Sequence, residues 1–305
     1  MHDANPLVAR RALLSAALGV GAAMTLGACS VRLESDAPGI PGLRTQEPTP
    51  DQKVLLATFV DVRGLEQTAL TSGGVGARLA PVHKAQLSRL TDVIAGLGLT
   101  PPVMPANAGS AAPTASGDLA AAELRFGAGA GPAGLAQASA AHLPMLASIM
   151  ATRGAGALLA GSTPTWPGEK PLAPAVSSAL LAAVRPAVYG LETISALTPE
   201  KQRKPVRALL RDVTAERSRL EAAAGTTAPA PPLTYRLPGR TDTPAARAQL
   251  VTRLLSDVVT AAAGQVSVAR GRPGELTGLV ALWSRSTARA WQWGVTPGPF
   301  PGLQQ

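Results

Sequence analysis

The chain has 305 residues and a formal charge of +9; 46% of its residues are hydrophobic but only 3% are aromatic. A β-sandwich would need more aromatic and β-branched residues, so the composition favours closely packed helices built from Ala, Leu and Val. The length allows one large or two small domains. The sequence has no basic motif interleaved with aromatic residues, so nucleic acid is not a predicted partner.

The N-terminal segment has the pattern of a secretory signal peptide. Arg10 and Arg11 precede an apolar run, Ala12–Leu26, which is too short to span a bilayer. The run ends in Leu26-Gly27-Ala28-Cys29, which resembles a bacterial lipobox, whose cysteine becomes the lipidated first residue of the mature protein. Cys29 is the only cysteine, so an intramolecular disulfide is not available. We therefore expect an exported lipoprotein, anchored at the outer face of the cytoplasmic membrane.

The arginine pair leaves two export routes open. Arg10-Arg11-Ala12-Leu13-Leu14 resembles a twin-arginine signal, in which two apolar residues follow one position after the pair. A Sec signal also needs a positive start, so both routes fit these residues. The twin-arginine route would let the protein fold, and acquire a cofactor, before export.

Changes in composition divide the chain into five predicted regions. A Pro-rich tether follows the signal peptide, and a second segment with three prolines separates two helical halves. The predicted regions are the signal peptide (1–28), the tether (29–50), an N-terminal helical bundle (51–162), a linker (163–172) and a C-terminal four-helix bundle (173–302).

Apolar residues recur at three- and four-residue spacing through the first half, which predicts amphipathic helices. These helices are expected at about 51–72, 77–97, 118–126 and 133–159. The last helix contains Pro144, which is expected to kink it because proline removes a backbone donor and crowds the preceding turn.

Four more helices are predicted in the second half. They are expected at about 173–197, 199–223, 244–261 and 275–293. Thr198 and Thr243 each precede a proline and are predicted N-caps. Two helix pairs joined by a proline-rich crossover, 224–240, are typical of a ferritin-like four-helix bundle.

Short motifs in the second half resemble one known family. The motifs are Leu180–Tyr189, Tyr235–Pro238, Trp283 and Thr296–Gly302, with a weaker echo in Leu79-Ala80-Pro81. Together they resemble the ferritin-like domain of unknown function found in actinobacterial lipoproteins, from about Ala173 to the C-terminus. Members of that family often have Glu-His where this chain has Val184-Arg185. The resemblance therefore implies a ferritin-like fold without metal ligands at that place.

Four Glu and His residues of the first half are candidate metal ligands. They are Glu66, His83, Glu123 and His142, one on each predicted helix. Each lies roughly 9–15 Å from a turn at one shared end of the predicted bundle, so the four could share a layer. Two imidazoles and two carboxylates suit zinc, iron or manganese. The alternative is that they are ordinary surface or stripe-edge residues, and the sequence lacks the Glu-x-x-His motif of di-iron sites.

The helix predicted after Thr198 is strongly basic. Arg203, Arg207 and Arg211 lie on one face at four-residue spacing, and nearby acidic residues offset part of their charge. This pattern fits either an ordinary solvated face or a face that contacts anionic lipid or a teichoic-type wall polymer.

Three tryptophans stand near the C-terminus of a chain that is poor in aromatic residues. Trp283, Trp291 and Trp293 are predicted to fill the spaces left by small core residues. A tryptophan-lined ligand pocket is the alternative interpretation.

These patterns predict an all-α, lipid-anchored extracytoplasmic protein with a non-enzymatic structural or interaction role in the cell envelope. A catalytic residue set is not predicted, and neither is a cofactor. One alternative function is a metal-binding or redox bundle that uses a transition metal held by Glu66, His83, Glu123 and His142. The other is a small-molecule-binding lipoprotein.

Overall fold

The computed structural model describes residues 47–103 and 116–303, and this part of the chain folds into nine α-helices joined by turns and loops. The prediction of an all-α bundle is confirmed. Arg10, Arg11, Cys29 and the predicted signal peptide lie outside the described residues. The helices are α1 (Pro50–Ser72), α2 (Val75–Gly96), α3 (Ser116–Leu124), α4 (Pro132–Leu135), α5 (Leu143–Leu159), α6 (Pro174–Leu197), α7 (Glu200–Ala224), α8 (Pro244–Gly264) and α9 (Pro273–Gln292).

Local capping explains where α1 and α8 begin. Thr49 and Gln52 form a capping box. The backbone amide of Gln52 donates to Thr49 Oγ1 at 3.3 Å, and the backbone amide of Thr49 donates to Gln52 Oε1 at 2.8 Å. The hydroxyl of Thr243 accepts from the Ala246 amide at 3.1 Å, so its predicted role as the N-cap of α8 is confirmed. Proline in the first turn of each helix fits because its missing N–H has no partner there.

The predicted N-cap at Thr198 is wrong. Pro199 occupies the N-cap position of α7, and the Thr198 hydroxyl donates to the Ile194 carbonyl at 2.6 Å. Thr198 is buried, and the carbonyls at the end of α6 need donors. Its side chain therefore completes the helix before it rather than the helix after it.

The single kinked helix predicted at 133–159 is also wrong. The chain forms the short α4, turns through 136–142, and starts α5 at Leu143 with Pro144 in its first turn. Asp51 at the start of α1 holds the break, because it accepts a hydrogen bond from the Ser139 amide at 2.6 Å. Pro144 thus starts a helix instead of kinking one.

The four helices predicted for the second half are present. α6 packs against both α7 and α8, and α8 packs against α9. Pro186 lies within α6 without ending it. α6 is also the one helix in the described residues that is long and apolar enough to cross a membrane, and half of its apolar window is buried by its neighbours.

Helices from the two predicted bundles share one core. α5 packs along α9, and residues from Glu47 onward form one compact unit. The close approach depends on Gly154, because a Cβ there would overlap Ser284 Oγ and lie 2.7 Å from Trp166 Cζ2. Trp166 belongs to the predicted linker 163–172 and is buried in the same core. Trp283 and Trp291 are buried as predicted.

Candidate functional site

The candidate site is built around a buried contact between His83 of α2 and Glu123 of α3. His83 Nε2 lies 2.9 Å from Glu123 Oε1, and both side chains are 0% exposed. These are two of the four residues proposed from the sequence as metal ligands. A buried charge or imidazole is costly unless it is paired, so each residue needs the other.

Gln86, one turn after His83, fixes a proton on the imidazole. Gln86 Nε2 donates to the Pro299 carbonyl at 2.7 Å, so its Oε1 faces His83 Nδ1 at 3.1 Å. Because an amide oxygen only accepts, Nδ1 must carry a proton. A second proton, on Nε2, would then form the hydrogen bond to Glu123 Oε1.

The pKa of His83 is raised above its ordinary value. Burial of the ring lowers this pKa and is the largest single cause, but the Glu123 charge and the hydrogen bonds to Glu123 and Gln86 raise it by more. The geometry therefore favours an imidazolium that donates to Glu123 through Nε2 and to Gln86 through Nδ1.

Arg153 of α5 holds the end of α3 beside this pair. It is 2% exposed and donates to the backbone carbonyls of Glu123, Ala122 and Arg125, at and just after the C-terminal end of α3, where carbonyls lack intrahelical partners. A cation there also favours the helix dipole. Its guanidinium further donates to Asp61 Oδ2 at 2.8 Å and lies 4.1 Å from the centre of the Phe126 ring.

Arg153 was not among the residues predicted from the sequence. The signal that marks it is that Arg153 is the only charged residue in the apolar helix α5. A lone charge on a helix that is buried all round requires a partner on a neighbouring element.

Glu123 fits only because α5 has glycine opposite it. A Cβ at Gly156 would lie 2.7 Å from Glu123 Oε1 and 2.9 Å from Leu79 Cδ1. The second carboxylate oxygen, Oε2, is buried and has no hydrogen-bond partner among the described residues. The pair is thus buried between α2, α3 and α5, with Gln86 and Arg153 as its polar neighbours.

The structure places His142 at a different site from His83. His142 Nδ1 lies 2.7 Å from Asp51 Oδ2 and 3.1 Å from Ser139 Oγ. The short turn between α1 and α2 makes them antiparallel, so the helix rise separates the levels of Asp51 and His83 by about 20 Å along the bundle. Burial opposes ionisation of Asp51 most strongly, but hydrogen bonds from Ser139 and His142 outweigh it and lower the pKa of Asp51.

Glu66 belongs to neither pair. It is half-buried on α1, and the described part of the chain contains no group of three or more His, Cys, Asp or Glu side chains arranged to hold a metal ion. The predicted four-residue layer is therefore not formed. His142 was expected within a helix starting near 133, but the break held by Asp51 places it just before α5.

Two of the predicted anion-contact residues, Arg207 and Arg211, lie on the outer side of α7. Arg203 is only 25% exposed, and its Nε donates to the Thr198 carbonyl at 2.9 Å. Each of the three has an acidic neighbour. Arg203 and Arg207 share Glu200, at 2.6 and 3.2 Å, and Arg211 lies 3.7 Å from Asp212. The side chains of Arg207 and Arg211 are 56% and 77% exposed. Pairs exposed to this degree contribute about 0–1 kcal/mol each, so the arginines can exchange these partners for others.

The comparisons with known proteins concern the second half. Residues 175–305 match the family model described as "Domain of unknown function (DUF4439)". Comparison with curated proteins and with solved structures found no match. The match covers α6 to α9 and the C-terminal segment but not the His83–Glu123 pair. The resemblance read from the motifs is thereby confirmed in its coarser part, and a DUF4439 domain is found at residues 175–305.

Proposed function

We propose that the protein is a lipid-anchored, non-enzymatic component of the cell envelope, and that the outer face of α7 contacts an anionic surface. The sequence supports the anchor through Arg10, Arg11 and Cys29. The charge distribution on α7 carries the second part of the proposal.

The outer face of α7 presents a basic row on the side opposite its core contacts. The exposed members of the row are Lys201, Lys204, Arg207 and Arg211. At 100° per residue they span an arc of about 120°, and buried Val206, Leu209 and Val213 lie across the helix. The row can therefore reach a flat surface while the apolar face stays packed on α6.

The expected attraction is large enough to matter for a tethered protein. Each basic residue close to an anionic membrane surface contributes about 1 kcal/mol, and this attraction falls off within a Debye length. Glu200 and Asp212 offset part of it, since they already pair with Arg207 and Arg211. A tether that keeps α7 near the headgroups raises its local concentration, so a weak contact is sufficient.

Vesicle binding tests the surface contact. The chain starting at residue 29, with Cys29→Ser to prevent lipidation, would be sedimented with vesicles of phosphatidylcholine alone or mixed with phosphatidylglycerol. We expect binding only to the anionic vesicles at about 0.1 M salt and its loss at about 1 M salt, where the Debye length shrinks from about 10 to about 3 Å. Equal binding to both vesicle types would rule the contact out. A teichoic-type polymer added as competitor would show whether wall polymer takes the same face.

The anchor has its own test. The full chain and its Cys29→Ala variant would be expressed in a bacterium with a lipoprotein pathway and labelled with palmitate. We expect label and membrane association in the wild type, with both lost in the variant. An unlabelled wild-type Cys29 would contradict the anchor and leave the vesicle result to stand alone.

A metal-binding or redox function is the second candidate, and one observation favours it. A metal ion that displaces the proton on His83 Nε2 would find that nitrogen beside Glu123, whose Oε2 has no partner among the described residues. Elemental analysis of protein purified without chelator tests it. A near-stoichiometric transition metal that is lost in the His83→Ala variant would favour this function, and a metal-free folded wild type would contradict it.

A further inference from the structure

Three arginines surround one buried carboxylate, that of Glu216. The Glu216 side chain lies on α7 and is 4% exposed, and its Oε2 accepts a hydrogen bond from Arg219 of the same helix at 3.1 Å. From α9, Arg285 donates to both carboxylate oxygens at 3.3 Å, and Arg289 Nη1 lies 4.0 Å from Oε2. These four residues, the Glu216 cluster, lie within the DUF4439 match and outside the basic row of α7.

The Glu216 cluster holds more positive charge than its carboxylate neutralises. Three guanidinium groups face one carboxylate, and arginine stays protonated in proteins. The next carboxylate along α7, that of Asp212, does not remove the excess, because it lies 3.7 Å from a fourth guanidinium, that of Arg211. Like charges held this close repel each other, so an anion from outside the chain would stabilise the cluster.

Arg289 is the member of the cluster with the least compensation. Its side chain is 18% exposed and donates no hydrogen bond to the described residues, but its nitrogen atoms still reach solvent. Burial is the largest influence on the pKa of Arg289 and lowers it. The charges of Glu216 and Asp212 raise this pKa, but they do not make up for burial and the two neighbouring arginines. A further negative charge is what this cation lacks.

The donors of the cluster suit the oxygens of a phosphate group. The nearest nitrogens of the three arginines lie within 4.0 Å of Glu216 Oε2, so they are at most about 7 Å apart, and one phosphate can span that distance with hydrogen bonds of about 2.8 Å. Glu216 uses Nη1 of Arg219 and Nε and Nη2 of Arg285, so their other N–H groups remain for a ligand. Planar guanidinium groups bind phosphate through paired donors.

We propose that the Glu216 cluster binds a phosphate dianion, either free in solution or as the phosphomonoester headgroup of a lipid. Arg219, Arg285 and Arg289 donate to the phosphate oxygens. Glu216 is a positioning residue that holds Arg219 and Arg285 in place. The proposal does not depend on the contact of the basic row with a surface.

Titration calorimetry with inorganic phosphate tests the site, on the chain from residue 29 with Cys29→Ser at about 0.1 M sodium chloride. Acetate, which has a single carboxylate, is the comparison anion. Arg289→Gln removes the least compensated donor, and Arg219→Gln removes one that is 64% exposed, so its loss should not prevent folding. Arg253→Gln is the matched control, because it loses the same charge from an exposed ion pair with Asp257 on α8.

We expect saturable phosphate binding in the wild type, weakened about tenfold by either cluster variant and less than about twofold by Arg253→Gln. The Arg219→Gln result decides the question even if Arg289→Gln fails to fold. Absence of saturable binding, equal affinity for acetate, or cluster variants that bind phosphate as well as Arg253→Gln does would overturn the proposal.

Vesicles separate the two sources of phosphate. Phosphatidylcholine vesicles with phosphatidic acid, whose headgroup is a phosphomonoester, would be sedimented with the wild type and with Arg289→Gln. Weaker binding of the variant would assign the lipid headgroup as the ligand. Equal binding of both, together with phosphate binding in solution, would assign a free phosphate. Because the basic row consists of other residues, failure of its vesicle test and failure of this one are distinguishable.

Discussion

At the scale of single residues, the His83–Glu123 contact is the one whose loss should cost the fold most stability. Two titratable groups with 0% exposure form a hydrogen bond at 2.9 Å, and Gln86 links His83 to the Pro299 carbonyl. A buried pair of this kind contributes little net stability compared with an apolar pair, but loss of one partner leaves the other desolvated and unpaired. The contact and the Gln86 bond therefore hold α2, α3 and the C-terminal segment in one arrangement.

Removal of one partner should be strongly destabilising. We expect His83→Ala to lower the free energy of unfolding by about 3–5 kcal/mol, because Glu123 would remain buried without its donor. Urea denaturation followed by circular dichroism measures this. Glu66→Gln is the control: Glu66 is half-buried and belongs to neither pair, so its effect should stay within about 0.5 kcal/mol. Similar small losses in both variants would contradict the role of the pair.

The pair also links stability to pH. The pKa of His83 is raised in the folded state, so its stabilising contribution is fully present below the unfolded-state value of about 6.5. It is lost as pH rises through the folded pKa, because the folded state binds more protons in that window. We expect the wild type to lose stability from neutral to alkaline pH, and Glu123→Gln to lose much of this dependence. Parallel wild-type and variant curves of unfolding free energy against pH would contradict it.

Asp51 supplies a comparison with the opposite sign. Its pKa is lowered in the folded state, so its contribution is present above the unfolded value of about 3.9 and is lost as pH falls through the folded pKa. Asp51→Asn should therefore lower the free energy of unfolding at neutral and alkaline pH, and the curves of wild type and variant should converge as pH falls through the folded-state pKa of Asp51.

At the scale of the helices, glycines decide where elements approach most closely. α3 reaches α5 only because Gly156 leaves space for the Glu123 carboxylate, and α5 reaches α9 only because Gly154 leaves space for Ser284. Alanine is the better helix former, so glycine inside a helix is retained at a cost of about 1 kcal/mol. The close packing of α5 against α3 and α9 explains why glycine is present at these two positions.

Gly156→Ala should destabilise the protein by about 1–3 kcal/mol, because the new Cβ would lie 2.7 Å from Glu123 Oε1 and force α3 outward. Gly64→Ala in α1 is the matched control: a Cβ at Gly64 meets nothing within 4 Å, so we expect a gain of about 0.5–1 kcal/mol. Thermal denaturation of the two variants compares them directly. A gain in both would contradict the close approach at Gly156.

Helix positions followed from local patterns, whereas pairings between distant residues did not. Periodicity and Gly or Pro boundaries predicted α1, α2 and α6 to within a few residues. The break before α5 depends on Asp51, 88 residues before Ser139, and the Gln86–Pro299 bond joins residues 213 positions apart. Contacts between residues so far apart cannot be predicted from the pattern of a short stretch of sequence. His83 and Glu123 could be named as candidates from their residue types, but the partner of each could not.

At the scale of the whole molecule, the shared core predicts one cooperative unfolding transition. The core joins Leu55 and Leu90 of the first half to Leu254 and Leu282 of the second, and α5 packs along α9. Tryptophan fluorescence and far-ultraviolet circular dichroism should therefore give the same midpoint in urea. Two separate transitions would contradict this and would favour bundles that unfold independently.

The distribution of surface charge sets how the molecule would lie beside a membrane. The basic row of α7 faces away from the core, so it can contact headgroups without rearrangement of the helices. Basic residues elsewhere, such as Lys84 and Arg89 of α2, add to the net charge without belonging to this row. We propose that this row, rather than the net charge of +9, produces the attraction.

The most direct test is the dissociation constant for anionic vesicles, measured for two variants with equal charge loss. One variant replaces Lys201, Lys204, Arg207 and Arg211 with Gln, and the other replaces the exposed residues Lys84, Arg89, Arg253 and Arg270 with Gln. If the row is the contact, the α7 variant should bind about a hundredfold more weakly than the wild type, and the other variant less than about tenfold more weakly. Equal weakening in both variants would show that only net charge matters and would contradict the account.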